Sequence, residues 1–125
     1  QMIAKAIDGD VSSVVRVPGG NLTAITSRLI APYVTAEIGW NIDTSDWEMP
    51  GKDKILKNLK LASTGDIILC HDGGGDRSET VAALEEFLKE YSTKGYRFIT
   101  IDEMMEFGEA KSKDDTTAST SKYAG

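Results

Sequence analysis

The only imidazole of this sequence, His71, ends the apolar run Asp66-Ile67-Ile68-Leu69-Cys70 and precedes Asp72-Gly73-Gly74-Gly75-Asp76. An imidazole with its ordinary pKa near ~6.5 takes or gives a proton at neutral pH, so His71 reads as a general acid or base. Two more segments carry chemistry that could serve it. Asp43-Thr44-Ser45-Asp46-Trp47 offers two carboxylates and a tryptophan, and Arg16-Val17-Pro18-Gly19-Gly20 offers a guanidinium. A carboxylate beside His71 would hold one tautomer and favour the protonated ring. Asp43 and Asp46 both qualify, although the same residues also suit an ordinary Asx-rich turn. Arg16 could orient a carboxylate through paired hydrogen bonds, or serve as a surface charge at a strand end. Trp47 could line a sugar groove or simply pack. Cys70 adjoins His71 in an extended run, so their side chains face opposite ways and form no nucleophile–base dyad. Cys70 therefore reads as a core residue.

Other patterns are weaker. The run Gly73–Gly75 lacks the Lys-Ser/Thr of a phosphate loop and the spacing of a dinucleotide fingerprint. Residues 72–76 hold few carboxylates for a calcium loop. They read as a tight connection feeding a helix cap at Asp76. Asn21-Leu22-Thr23 is a formal glycosylation sequon, expected to stay unmodified so close to the candidate site.

Each of the three segments must be held at the end of a strand. Val14–Val17 reads as a strand stopped by Pro18-Gly19-Gly20. Helical spacing of Leu22, Ile25, Leu29 and Ile30 predicts a helix over 21–31, ended by Pro32. Val34–Ile42 reads as a second strand, and 52–62 as a helix carrying Ile55, Leu56, Leu59 and Leu61. The run 66–70 is a third strand, apolar enough for burial on both faces. Asp76 with Glu79 predicts a capped helix whose stripe is Val81, Leu84, Leu88 and Tyr91, stopped by Gly95. Tyr96–Thr100 reads as a fourth strand, and Thr100 with Glu103 caps a last short helix through Phe107. Alternating strands and helices predict an α/β fold with a parallel sheet, whose sites gather at the C-terminal ends of the strands.

Composition sets the bounds. The 125 residues carry Lys plus Arg 14 against Asp plus Glu 20, a net charge of −6, and that acidity argues against a nucleic-acid partner. No apolar stretch approaches the ~20 residues of a membrane span. One His and one Cys cannot supply the three or four nitrogen and sulfur ligands typical of zinc. Gln1 is not an initiator Met, which suggests a chain that begins mid-stream. After Gly108 the sequence turns to Ser, Thr, Asp and Lys, so 109–125 reads as a polar tail or linker, disordered by composition.

In this order, the three segments resemble the last three motifs of the polysaccharide deacetylases, the NodB-homology domain of carbohydrate esterase family 4. Arg16-Val17-Pro18-Gly19-Gly20 is similar to the Arg-x-Pro segment, Asp43-Thr44-Ser45-Asp46-Trp47 to Asp-x-x-Asp-Trp, and Leu69-Cys70-His71 to Leu-x-His. Gly39–Asp43, Gly65–Leu69, His71–Thr80 and Gly95–Thr100 extend the match, so that it covers 1–108. The resemblance implies the C-terminal half of a distorted (β/α) barrel that removes N-acetyl or O-acetyl groups from a glycan such as peptidoglycan or chitooligosaccharide. It implies His71 as general acid, Asp46 tuning it, Arg16 orienting the base carboxylate, and Trp47 and Leu69 as walls of an acetyl pocket. It also implies a divalent metal, zinc by habit of the family, whose Asp and His ligands lie in motifs this chain lacks. The partners would be an acetylated polysaccharide and the N-terminal half of the domain, acting outside the cell or at the wall. Two alternatives stay open: a non-catalytic fragment that binds glycan or protein, and a small flavodoxin-like module binding a ligand at its strand ends.

Overall fold

The computed structural model describes residues 2–114, so the expected tail lies, from 115 to 125, outside the described residues. The described residues divide into two compact units that meet between 89 and 90 in the sequence.

The first unit is built from two βαβ units. Val14–Val15 (β1) pairs in parallel with Ala36–Glu37 (β2), Val14 opposite Ala36. Ile42–Asp43 (β3) pairs in parallel with Ile68–Leu69 (β4), Ile42 opposite Ile68. A 3₁₀ turn at Pro18–Gly20 and helix α2 (Ala24–Ile30) connect the first pair; a 3₁₀ turn at Asp46–Glu48 and α3 (Lys52–Leu59) connect the second. A short helix, α1 (Met2–Ile7), precedes them and has no counterpart in the sequence reading.

The α/β alternation and the parallel pairing match the expectation; two strands do not. The expected strand Val34–Ile42 is split, because it changes partner midway. Thr35 N and Ile38 N donate to Ser13 O and Val15 O at 2.7 and 2.8 Å, whereas Asn41 N and Ile42 N donate to Ile67 O at 2.9 and 3.1 Å. Four strands are present among the described residues, but Tyr96–Thr100 is not one of them. Its aromatic and β-branched residues suit a strand, yet no neighbouring strand pairs with them.

The helices differ in what holds them. Helix α2 carries a capping box: Thr23 Oγ1 accepts from Thr26 N at 3.1 Å, and Thr26 Oγ1 accepts from Thr23 N at 2.8 Å. It buries no residue, and its stripe of Leu22, Ile25 and Leu29 is more than half exposed. Helix α3 has no side-chain cap but buries Ile55, Leu56 and Leu59; Leu61, beyond its end, is exposed.

Helix α4 (Ser78–Thr93) buries Thr80, Ala83, Phe87 and Tyr91, so the expected stripe is correct only at Tyr91 and partly at Leu84. Val81 and Leu88 face outward. The bulky Phe87 and the hydrogen-bonded Thr80 take the inward face, which rotates the stripe by one position. In the second unit, Gly95 at φ +88° ends α4 as expected, with Gly95 N donating to Ser92 O and Tyr96 N to Tyr91 O, each at 3.0 Å. Thr100 and Glu103 form the expected box on α5: Thr100 N donates to Glu103 Oε2 at 2.8 Å and Glu103 N to Thr100 Oγ1 at 3.2 Å. Helix α5 runs from Ile101 to Asp114, past the expected end at Phe107.

Candidate active site

Because β3 and β4 are parallel neighbours, the residues that follow them emerge on one rim. Thr44 secures this edge: its hydroxyl donates to Leu69 O at 2.8 Å, and its own carbonyl accepts from Asn58 Nδ2 of α3 at 3.0 Å. The chain then turns sharply. Asp43 Oδ1 accepts from Ser45 N at 2.8 Å, and Ser45 takes φ +53°. Asp43 is exposed and performs the Asx-turn role; the next carboxylate, Asp46, is swung inward and is 1% exposed.

Asp46 meets His71 twice. Its Oδ1 lies 2.7 Å from His71 Nδ1, and its Oδ2 accepts from His71 N at 2.8 Å. Thr80, in the first turn of α4, adds a hydroxyl to Oδ2 at 3.2 Å. Burial alone pushes the Asp46 carboxyl up. The hydrogen bonds from the His71 side chain and backbone outweigh it and hold the group below its ordinary 3.8. Asp46 is thus a carboxylate that can only accept, so Nδ1 of His71 must carry the proton it shares. Nε2 is left for chemistry: it bonds to no described residue, and the His71 side chain is 31% exposed.

Two contributors were not visible in the sequence. Arg77 Nη1 donates to Asp46 O at 2.6 Å, while its Nε and Nη2 donate to Gly73 O and Gly74 O at 2.9 and 3.2 Å. Thr80 is the other. Arg77 O accepts from Val81 N at 2.9 Å, which starts α4 and places residues 77 and 80 on one face. That i, i+3 spacing behind Asp76 was the available signal, but it requires knowing where the helix begins. Asp76 Oδ1 caps the helix by accepting from Ser78 N at 2.9 Å.

The remaining candidates are more scattered. Trp47 is 55% exposed in the 3₁₀ turn beside Asp46. Leu69 is buried in β4, with its carbonyl on Thr44. Cys70 is half-buried and not part of the fully buried core, and burial pushes its thiol up, against a nucleophile role. Arg16 is exposed after β1 and makes no hydrogen bond or ion pair with a described residue. Beyond it, a cleft of about 240 Å³ is lined by Val17, Gly20, Leu22, Glu37, Ile38 and Trp40. The Trp40 ring lies so close to Gly20, at φ +66°, that a Cβ there would sit 2.9 Å from it.

No group of three or more His, Cys, Asp or Glu among the described residues could hold a metal ion. These residues do not fit a metal site.

No family model matches the chain. It is similar to a peptidoglycan-N-acetylglucosamine deacetylase of Bacillus cereus, 43% identical over 95 residues, covering 74% of this chain and 45% of that protein. A chitooligosaccharide deacetylase of Rhizobium leguminosarum is 32% identical over 85 residues, covering 58% of this chain and 37% of its own. Of the solved structures, peptidoglycan deacetylase PdaC of Bacillus subtilis superposes with a TM-score of 0.75 at 24% identity, over 92% of this chain and 55% of its own; at that identity it speaks for the fold alone. A carbohydrate esterase family 4 pseudoenzyme of Bacillus anthracis superposes at 0.70 and 26% identity, over 82% of this chain and 35% of its own. The chain spans less than half the length of the two sequence relatives.

Proposed function

For a chain that matches the NodB-type polysaccharide deacetylase domain of carbohydrate esterase family 4, we propose that residues 1–108 are the C-terminal half of that domain and supply the acid side of its active site. The observation that carries this reading is the double contact between buried Asp46 and His71. Amide hydrolysis expels an amine, which leaves well only when its nitrogen is protonated as the C–N bond breaks. His71 is built for that transfer. Asp46 fixes the ring through Nδ1 and stabilises its positive charge, so the proton delivered to the leaving nitrogen is the one on Nε2. After delivery the ring is neutral and recovers a proton from water.

Arg16 would orient a carboxylate supplied by the other half, and Trp47, exposed next to Asp46, and Leu69, buried two residues before His71, would be walls for an acetyl group. The family is metal-dependent in general. The ion, zinc in our reading, would take its ligands from the N-terminal half, and no step here depends on residues of this chain binding it. Four two-residue strands cannot close a barrel. The exposed stripe of α2 and the Tyr96–Thr100 run, which forms no strand among the described residues, suit a half that completes itself against the other. The substrate would be an acetylated glycan such as peptidoglycan or chitooligosaccharide, met at the cell wall, with a polar tail over 109–125 whose residues 109–114 continue α5.

A second reading is non-catalytic binding of glycan or protein. The pseudoenzyme among the structural neighbours favours it. Acetate release from N-acetylated chitooligosaccharide decides between the two, measured on the protein that joins this chain to the first half of the domain. Catalysis predicts a loss of about 10²- to 10⁴-fold in His71→Ala. An unchanged rate removes the acid role of His71, and no rate in the parent supports binding instead.

A further inference from the structure

We propose that Arg77 is the positioning residue that sets the Asp46–His71 pair; the inference rests on the acid role of His71 for its catalytic consequence, though not for its geometry. The two partners come from different loops, Asp46 from the turn after β3 and His71 from the end of β4. Arg77 bridges these loops. One nitrogen holds the carbonyl of Asp46 itself, and the other two hold the carbonyls of Gly73 and Gly74, just after His71. A glycine run has no side chains with which to fix its own course, and Gly74 and Gly75 take φ of +80° and +143°. The guanidinium therefore defines where the loop goes. Its planar fork reaches three carbonyls at once, which an ammonium, a single compact charge on a flexible stem, cannot reproduce. The Arg77 hydrogen bonds all go to backbone carbonyls and not to the imidazole or the Asp46 carboxylate, so it acts through the backbone that carries them. It is also half-buried, where charge-assisted bonds to carbonyls are less screened.

The chain has one histidine, so its ring nitrogens give unambiguous signals in ¹⁵N-labelled protein. The wild-type chain is expected to show the Nδ1-protonated tautomer with a low-field, exchange-protected Nδ1 proton. Arg77→Met should lose that protected proton and mix the tautomers, and Arg77→Lys should restore it only in part. Should Arg77→Met reduce helix content, Arg77→Lys alone decides the matter. A ring spectrum identical to wild type in the folded variant overturns the proposal. In the joined domain, Arg77→Met should lower kcat by up to about 100-fold with KM nearly unchanged. If His71→Ala leaves deacetylation intact, the acid reading fails while the ring spectrum still judges Arg77; if His71→Ala is inactive and the Arg77 variants keep the wild-type spectrum, only the positioning role fails.

Discussion

The two βαβ units of the first half of the chain share an architecture and differ in how far they are finished. In the second, β3-α3-β4, every group that matters has a partner inside the chain: Asp46 with His71 and Thr80, Thr44 with Leu69 and Asn58, and α3 with a buried face. In the first, β1-α2-β2, helix α2 satisfies its own N-terminus but buries nothing, and Arg16 binds no described residue. One unit buries a helix face and carries the Asp46–His71 contact. The other pairs its strands and ties α2 to β2 through Ser27 Oγ, which donates to Glu37 Oε1 at 3.0 Å, but leaves the apolar residues of α2 and Arg16 exposed. That contrast suits the proposed half-domain, in which His71 would act as the acid and Arg16 would meet a carboxylate of the other half.

The contrast can be broken by core truncation first. Leu59→Ala in α3 should cost about 2–5 kcal/mol by chemical denaturation, because Leu59 is fully buried. The matching Leu29→Ala in α2 should stay within about 0.5 kcal/mol. Equal losses at the two positions would mean that α2 is as well packed as α3.

A smaller effect comes from the buried carboxylate. Asp46→Asn keeps the shape but weakens acceptance from His71 and should cost about 1–3 kcal/mol near neutral pH. The sign of the pH dependence follows from the same group. Its pKa in the folded chain is held below 3.8, so its stabilisation is fully present above that value and fades as the pH falls through the folded pKa. Denaturation midpoints should therefore drop below pH 3.8 more steeply for wild type than for Asp46→Asn. Parallel curves would show that Asp46 is not held as a carboxylate by His71.

The smallest effect tests the β1-α2-β2 unit. Thr23→Ala removes the cap of α2 and should cost about 1 kcal/mol of helix stability, read as faster amide exchange over residues 24–30. If exchange elsewhere rises as much, α2 is coupled to the rest more tightly than its exposed face indicates.

These differences also show what the sequence made legible. Strand ends, caps and punctuation are local, so the stop at Gly95 and the Thr100–Glu103 box could be read from neighbouring residues. By contrast, Asp43 and Asp46 both qualify as the partner of His71, which lies 25 residues beyond Asp46, and only the family resemblance favours Asp46. Facing is not local. Val81-Leu84-Leu88 and Ala83-Phe87 both fit helical spacing, and only packing selects the second. Whether Tyr96–Thr100 becomes a strand depends on a partner strand, and whether 34–42 is one strand or two depends on which neighbour each half meets. Arg77 escaped for a related reason: it works on backbone carbonyls, and these leave no mark in side-chain patterns.

The central claim is that His71, oriented by Asp46, protonates the leaving group. The most direct measurement compares two acetyl substrates in the joined domain: an N-acetyl glycan, whose amine needs a proton to leave, and an aryl acetate, whose phenolate leaves without one. His71→Ala is expected to lose about 10²- to 10⁴-fold on the glycan and little on the aryl ester. Equal losses on both substrates, or none on either, would contradict the acid role.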